Sequence, residues 1–424
     1  MDIDNKVSLT TSAFSRLQNV KIYIETYGCT YNFGDTQKII DIAKYQGCTV
    51  VDSDVYADII IINTCIVISK TEDRMYERIK RFSTKPMIVT GCLPGLSIQK
   101  VFSVNPNAYI IDPSLIHSYY QHIKPNCSLN QRQAVVQISC GCNGHCTYCI
   151  TRLTRGKLVS IPIDEIVCYT RTLINSGAVE IQLTAQDVSS WGLDRDDGLR
   201  LPDLLNRLAE IPGEFRIRIG MSNPDTLYPI LDEFLDAIQN PKFFLFLHIP
   251  VQSGSNNVLK SMGRRYTIQI YENICARARD KYPDIRISTD YIVGFCGETD
   301  NDNEASISQI LSTRPSKVNI TRYSMRPGTH ASKLKNIPEP VKKERSRKLT
   351  DVCNQIYDEN NNEWIGKSVD VIVTEIVKKG SVVARDRTYQ NIVINSDMPI
   401  GKKLKVTITG HHRHYLLGQV ILEY

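Results

Sequence analysis

The sequence predicts an α/β protein in three parts: an amino-terminal doubly wound parallel α/β domain (residues 1–125), a central partial (βα)6 barrel (126–361) and a small carboxyl-terminal β-barrel (362–424). Three observations predict this. Strand-like apolar runs alternate with helical stretches from Val20 to Tyr323, as parallel sheets covered by helices require. Beyond Trp364 the period changes to short alternating strands with turns between them. Finally, the residues with chemistry fall at strand ends, where open parallel sheets and barrels bind ligands.

Val20–Tyr27 is a β-branched strand, with a helix expected over Thr36–Tyr45, capped by Asp35 and ended by Gly47. Asp58–Asn63 is a continuous apolar run suited to a parallel strand covered on both faces, followed by a helix over Thr71–Phe82. Strands follow at Met87–Thr90 and Ala108–Ile111. In the centre, the strand Val135–Ser139 is succeeded by helix Asp164–Asn175 and strand Glu180–Thr184, then by helix Leu201–Glu210 and strand Phe215–Gly220. Helix Leu227–Gln239 with strand Phe243–Ile249, helix Thr267–Lys281 with strand Arg286–Val293, and helix Asn303–Thr313 with strand Lys317–Tyr323 complete the set. Six right-handed βα units make an incomplete barrel with a lateral opening. A charged helix over Val341–Asn361 links it to strands Val369–Val377, Ser381–Arg385, Asn391–Ile394, Leu404–Thr409 and Tyr415–Leu422.

Composition excludes several classes. The apolar stretch Ala57–Ile62 falls far short of the ~18 residues of a membrane span, and Met1–Asn19 is polar, so a soluble cytoplasmic protein is expected. Thirteen cysteines in such a protein argue for metal or redox chemistry rather than a disulfide framework. Cys48, Cys127, Cys168, Cys275 and Cys353 stand singly, as ordinary core or surface residues do. The net charge of +6 permits a polyanionic partner without requiring one.

Cys142, Cys146 and Cys149 form Cys-x3-Cys-x2-Cys on a loop leaving a strand, with Gly141 and Gly144 to let the backbone wrap a cluster. Three local thiolates leave one corner open where a closed four-iron cluster or structural zinc would take four protein ligands. The zinc reading would borrow His145 or Cys140. Earlier in the chain, Cys29, Cys65 and Cys92 each end a strand of the first sheet, so they share one sheet edge and could converge on a second cluster. The bland alternative for each is a small buried hydrophobe.

The Cys-x3-Cys-x2-Cys loop resembles the radical S-adenosylmethionine (SAM) enzymes, in which SAM occupies the open iron and is cleaved to a 5′-deoxyadenosyl radical. A closer resemblance covers nearly the whole chain. Glu-Thr-Tyr-Gly-Cys-Thr-x-Asn-x-x-Asp (Glu25–Asp35), Asn-Thr-Cys-x-Val (Asn63–Val67) and Val-Thr-Gly-Cys-Leu-Pro (Val89–Pro94) are similar to the first domain of the methylthiotransferases. So are Leu-Thr-Ala-Gln-Asp (Leu183–Asp187), Arg-Ile-Gly-Met-Ser-Asn-Pro (Arg218–Pro224), His-Ile-Pro-Val-Gln-Ser-Gly-Ser (His248–Ser255), Thr-Asp-Tyr-Ile-Val-Gly-Phe (Thr289–Phe295) and Tyr-Ser-x-Arg-Pro-Gly-Thr (Tyr323–Thr329). Cys140 and Cys296 depart from the family pattern, and Cys140 could compete as a ligand.

The resemblance implies two [4Fe-4S] clusters, one on Cys142, Cys146 and Cys149 and an auxiliary one on Cys29, Cys65 and Cys92. Gln186, Gln252 and Gly294 are expected around SAM, with Gly294 admitting the adenine and His248 the weakest of the polar candidates at strand ends. The last domain resembles the RNA-binding TRAM barrel. From Trp364 to Tyr424 it carries nine Lys or Arg against five Asp or Glu, with Tyr389, Tyr415 and His411-His412-Arg413-His414 as groups that could stack on bases. The implied activity is addition of a methylthio group to C2 of N6-threonylcarbamoyladenosine beside the anticodon, with the tRNA anticodon stem-loop, SAM and an electron donor as partners. Related branches act on isopentenyladenosine or on a ribosomal-protein aspartate. An iron–sulfur protein that binds RNA without catalysis is the alternative outside enzymes.

Overall fold

The computed structural model describes residues 3–123 and 132–424. Cys127 and the boundary expected at 125/126 lie outside the described residues.

The first unit opens with a helix, Ile3–Ser15, in the stretch that reads as polar. Its sheet comprises β1 (Lys21–Thr26), β2 (Thr49–Val50), β3 (Ile59–Thr64), β4 (Met87–Gly91) and β5 (Tyr109–Ile110), all parallel, in the order β2-β1-β3-β4-β5. The isoleucine run of β3 divides as a doubly covered strand must: Ile60 and Ile62 pack on one side with Met75 and Ile79, Ile59 and Ile61 on the other with Ile39 and Ile42. The helix after β1 begins at Thr30 rather than Thr36. Asp35 is therefore no cap. It lies buried inside the helix, paired with Arg155 (2.7 Å) and accepting a hydrogen bond from Gln137 (2.7 Å). These partners are more than a hundred residues away, so tertiary pairing overrides the local capping signal.

The central unit contains β6 (Gln133–Gln137), a ribbon of β7 (Ser139–Cys140) and β8 (Val159–Ser160), then β9 (Glu180–Thr184), β10 (Arg216–Ile219), β11 (Phe246–His248), β12 (Arg286–Val293) and β13 (Lys317–Arg322). Parallel pairing runs β6-β9-β10 and β11-β12-β13, and bridges Ile217 to Phe243 and Met221 to His248 join the halves. The six parallel strands are thus neighbours in chain order, open between β6 and β13 among the described residues. The expected helix Leu227–Gln239 shrinks to Leu231–Ala237, because Pro229 sits in a separate tight turn before it.

The lateral opening is covered. At the β6 edge the Gln37 amide donates to Val135 O (3.2 Å) and accepts from Val135 N (3.1 Å), pairing with the free edge as a strand would. Beyond β13, Ser69 and Ser324 hydroxyls meet at 2.7 Å and Arg326 pairs with Glu72. The first unit therefore spans the gap from β6 to β13.

The helix Glu339–Asn362 leads to β14 (Ser368–Lys378), β15 (Ser381–Arg385), β16 (Asn391–Ile394), β17 (Lys403–His412) and β18 (Tyr415–Glu423), which close as β14-β15-β16-β18-β17 around Val373, Ala384, Ile392, Val406 and Leu416. This barrel docks on the amino-terminal ends of the central strands. Arg385 pairs with Glu180 (3.0 Å) at the start of β9, Leu245 N donates to Arg387 O (2.8 Å) just before β11, and Lys403 meets Glu214 just before β10. No helix among the described residues is long and apolar enough to cross a membrane.

Candidate active site

Cys29, Cys65 and Cys92 come together at the carboxyl edge of the first sheet, around the β1/β3 switch point. Gly28, at φ +108°, has no room for a side chain: a Cβ there would stand 2.9 Å from Cys65 Cβ and 3.1 Å from its Sγ. The turn before Cys29 thus lies directly against Cys65. Gly91, at φ +87°, brings β4 so close to Asn63 and Thr64 that any Cβ would clash, and it delivers Cys92 beside them. Two buried amides stitch the turns. Asn32 donates to Tyr27 O (2.7 Å) and Thr64 O (2.9 Å), while Asn63 donates to Asn32 O (2.7 Å) and Thr36 Oγ1 (3.0 Å). Thr64 donates to Thr90 O (2.6 Å) and accepts from Leu93 N (3.0 Å).

The second trio is local. Gly141, at φ +76°, passes so close to Lys157 O that only glycine fits, and Cys142 N donates to Gly156 O (3.1 Å). Gly144 N donates to Cys142 Sγ (3.2 Å), and a Cβ on Gly144 would lie 3.1 Å from Cys142 Sγ and 3.8 Å from Cys146 Sγ. Thr147 anchors the loop to the next element through Met262 O (2.9 Å) and Ser261 O (3.0 Å).

The two trios hang on one core. Ile150, next to Cys149, packs in the same apolar cluster as Ile66, Cys92 and Leu93. The short helix Cys92–Leu96 abuts Thr151–Arg155, with Gly95 facing Thr154 O. Arg155 joins both sides. It is 4% exposed, binds Asp35 and Asn32 Oδ1 (2.9 Å), and lies over the Tyr31 ring at 4.8 Å. A cavity of about 100 Å³ lies between the units, bounded by Val67 and Ile68 on one side and Tyr148, Cys149, Tyr323 and Arg326 on the other.

The electrostatics suit a cationic core. Burial pushes Cys92 up to about 11; the Arg155 guanidinium opposes this, and the Cys65 and Cys29 thiols push further. Burial likewise carries Cys142 to about 11, with Asp187, Cys146 and Cys149 adding to it and the Gly144 N–H opposing. Crowded buried thiolates require positive charge among them, and metal ligation supplies it by displacing the protons. Among the described residues no group of three or more His, Cys, Asp or Glu is gathered to hold a single metal ion. The zinc reading gains nothing from the neighbours: His145 is exposed and bonded to Arg265 (2.7 Å), and Cys140 turns toward Arg155 O (3.8 Å) and Tyr31. Two sets of three free thiols, each set on its own turns, suit iron–sulfur clusters, which take one thiolate per iron.

The chain matches the Uncharacterized protein family UPF0004 over residues 21–112, the Radical SAM superfamily over 136–310 and the TRAM domain over 362–421. It is 38% identical to a "Probable threonylcarbamoyladenosine tRNA methylthiotransferase" of Archaeoglobus fulgidus, over 95% of this chain and 99% of that one. It is 31% identical to the threonylcarbamoyladenosine tRNA methylthiotransferase of Mus musculus, over 95% of this chain and 74% of that one. The chain belongs to the threonylcarbamoyladenosine tRNA methylthiotransferase family. As a member of this methylthiotransferase family it is a radical SAM transferase, with an iron–sulfur cluster and SAM as its cofactors. Its fold is shared with the radical SAM methyltransferase TsrM of Kitasatospora setae (TM-score 0.54, 12% identity, 74% of this chain and 77% of that one).

The methylthiotransferase barrel places the remaining predicted residues unevenly. Gln186 and Gln252 stand at the carboxyl ends of β9 and beyond β11, and the side-chain oxygen of each is buried without a partner. Gln252 is held at φ +72°. Two orphaned acceptors suit the amino and hydroxyl donors of SAM. At Gly294 the stem of Lys342 occupies the place a side chain would take, and the Gly294 N–H donates to Glu298 (3.0 Å). Asp187 is consumed by Ser189, Thr226 and Asn223, and His248 by Asp290 (3.2 Å). Tyr389 is no stacking platform, since its hydroxyl donates to Glu180 (3.0 Å) and its ring packs on Phe244 and Phe246. Tyr415 is half-buried against His412. Arg155, Asn32 and Asn63 were missed as organisers; Asn32 and Asn63 stand inside the quoted cysteine motifs, and that was their one signal.

Proposed function

We propose that this chain adds a methylthio group to C2 of N6-threonylcarbamoyladenosine beside the anticodon of tRNA, in the cytoplasm, using two [4Fe-4S] clusters and SAM. The observation that carries it is the one apolar core that joins Ile66 and Cys92 of the first trio's turns to Ile150 beside Cys149, with the names of the full-length relatives giving the substrate. Cys29, Cys65 and Cys92 would hold the auxiliary cluster; Cys142, Cys146 and Cys149 would hold the cluster that binds SAM. Bound there, these groups supply the radical that opens an inert aromatic C–H bond and the sulfur that replaces its hydrogen.

The chain's own part is positional. Asn32, Asn63 and Thr64 fix the early turns. The Gly141 turn and the Thr147 anchors fix the later loop. Arg155 with Asp35 sets the separation between them. Gln186 and Gln252 offer acceptors to SAM. Ile150, which lines the cavity, packs with Ile66 and Leu93 in one apolar cluster, which keeps water from that wall and protects a radical. The chain divides for these tasks at 1–125, 126–361 and 362–424, and an external electron donor completes the set.

Anaerobic reconstitution followed by SAM and dithionite should yield 5′-deoxyadenosine, and its absence would end the radical reading. Nucleosides from a deletion strain should lack the methylthio form of threonylcarbamoyladenosine. Loss of the isopentenyl form instead would reassign the substrate.

A further inference from the structure

The carboxyl-terminal barrel sits at the wrong end of the molecule to hold the reacting nucleotide. It meets the central strands at Glu180, Glu214 and Leu245, all at amino-terminal strand ends, whereas both thiol trios lie beyond the carboxyl-terminal ends. The strands between, five residues in β9 and eight in β12, put roughly 16–26 Å between the two faces at about 3.3 Å per residue. Another surface must hold the loop that carries the target base.

The rim formed by the turns that follow Cys29, Cys65 and Cys149 has the composition for it. Phe33 on the first turn after Cys29 is 51% exposed, Val67 after Cys65 is 52% exposed, and Leu153 after Cys149 is 48% exposed. Lys70, three residues after Val67, Arg152, next to Leu153, and Arg265, bonded to His145 of the second cysteine loop, are all exposed. Among the described residues none of the three has a carboxylate partner. Arg152 donates only to Gly144 O (3.3 Å), and Arg265 reaches only His145 (2.7 Å). The two arginines thus both reach the second cysteine loop, at the adjacent residues Gly144 and His145. These elements adjoin one another: Val67 and Thr151 bound the same cavity, and Arg155 ties the Phe33 turn to the Leu153 helix. The nearest acidic residues in sequence to Lys70 are Glu72, which is buried and paired with Arg326, and Asp73, which is exposed.

We infer that this rim, Phe33, Lys70, Arg152 and Arg265 with Val67 and Leu153, is the surface that grips the single-stranded anticodon loop. In this assignment Phe33 stacks on an unpaired base, the three cations take phosphates, and the carboxyl-terminal barrel binds a different part of the RNA. It rests on the proposed tRNA substrate. Exposed aromatic and aliphatic side chains interleaved with unneutralised cations around a concave site are the chemistry that holds unpaired RNA.

The test measures binding of the reconstituted full chain to an isolated anticodon stem-loop and to whole tRNA across a salt series, with iron content checked for every variant. Reversing both arginines (Arg152→Glu with Arg265→Glu) should weaken stem-loop binding about tenfold or more. The same change should flatten the plot of log affinity against log salt by about two. Lys70→Glu and Phe33→Ala, which leave the second cysteine loop untouched, should each weaken it several-fold. Lys378→Glu with Lys379→Glu, at the exposed β14–β15 turn, should weaken whole tRNA without altering the stem-loop. Rim variants that bind the stem-loop as the wild type does would overturn the inference. So would unchanged RNA affinity with slowed SAM cleavage under a protein reductant but not dithionite, which would assign the rim to an acidic electron carrier. A wild-type chain that binds no RNA would overturn the substrate reading itself.

Discussion

The two thiol trios offer the same three ligands on opposite principles. Cys142, Cys146 and Cys149 lie within eight residues, and backbone contacts hold them: a Gly141 turn, the Gly144 N–H on Cys142 and the Thr147 anchors. Cys29, Cys65 and Cys92 come from three strands, and side chains hold them: Asn32, Asn63 and Thr64, with Arg155 reaching in from the other unit. A local trio is a property of a loop, whereas a dispersed trio is a property of the fold. Damage to the fold should therefore fall first on the dispersed one.

The largest effects separate the trios by reaction. Cys146→Ala should abolish 5′-deoxyadenosine formation in the reconstituted protein. Cys65→Ala should keep that product while losing methylthio transfer to tRNA. Both should lower iron per chain, measured by chelation. Loss of 5′-deoxyadenosine in Cys65→Ala would merge what the geometry separates.

Next in size is the group the trios share. Arg155→Leu leaves Asp35, 2% exposed, without its cation, and breaking a buried pair costs about 3–5 kcal/mol. Denaturant unfolding should show that loss, and the double variant with Asp35→Leu should recover part of it. Asn63→Ala should cost about 1–3 kcal/mol, since it abandons buried Asn32 O. Iron should leave the dispersed trio first, with SAM cleavage retained.

What was legible follows the same division. Strands Glu180–Thr184, Arg286–Val293, Ser381–Arg385 and Asn391–Ile394 coincide with those read from the sequence, because each is a short apolar run bounded by turn residues. The cysteine loop was legible by spacing, and the dispersed trio because all parallel strands end on one edge. Roles assigned one residue at a time fared worse. Asp35 reads as a cap because a local capping signal carries no trace of Arg155, and nothing near Gly294 in sequence announces that Lys342 packs against it. Tyr389 looked like a free aromatic, yet it fills the joint between the two barrels. Composition marks a residue as useful; only the packed partner says for what.

The smallest effects draw the sharpest line between the trios, because they come from adding one methyl to a glycine in each. Gly28→Ala must hold φ +108° and bring its Cβ to 2.9 Å from that of Cys65, so it should cost about 1–3 kcal/mol and displace the Cys65 thiol. Gly144 has no positive φ, and its new methyl would meet only sulfur, at 3.1 Å from Cys142 Sγ. A gain of about 0.4–1 kcal/mol from the stiffer unfolded chain offsets that crowding, so the midpoint of unfolding should scarcely move. The visible spectrum of the reconstituted protein should still shift, since the Cys142 thiol must give way by a few tenths of an ångström. A Gly144→Ala protein that loses as much stability as Gly28→Ala would mean that the local loop, too, is held by the fold around it.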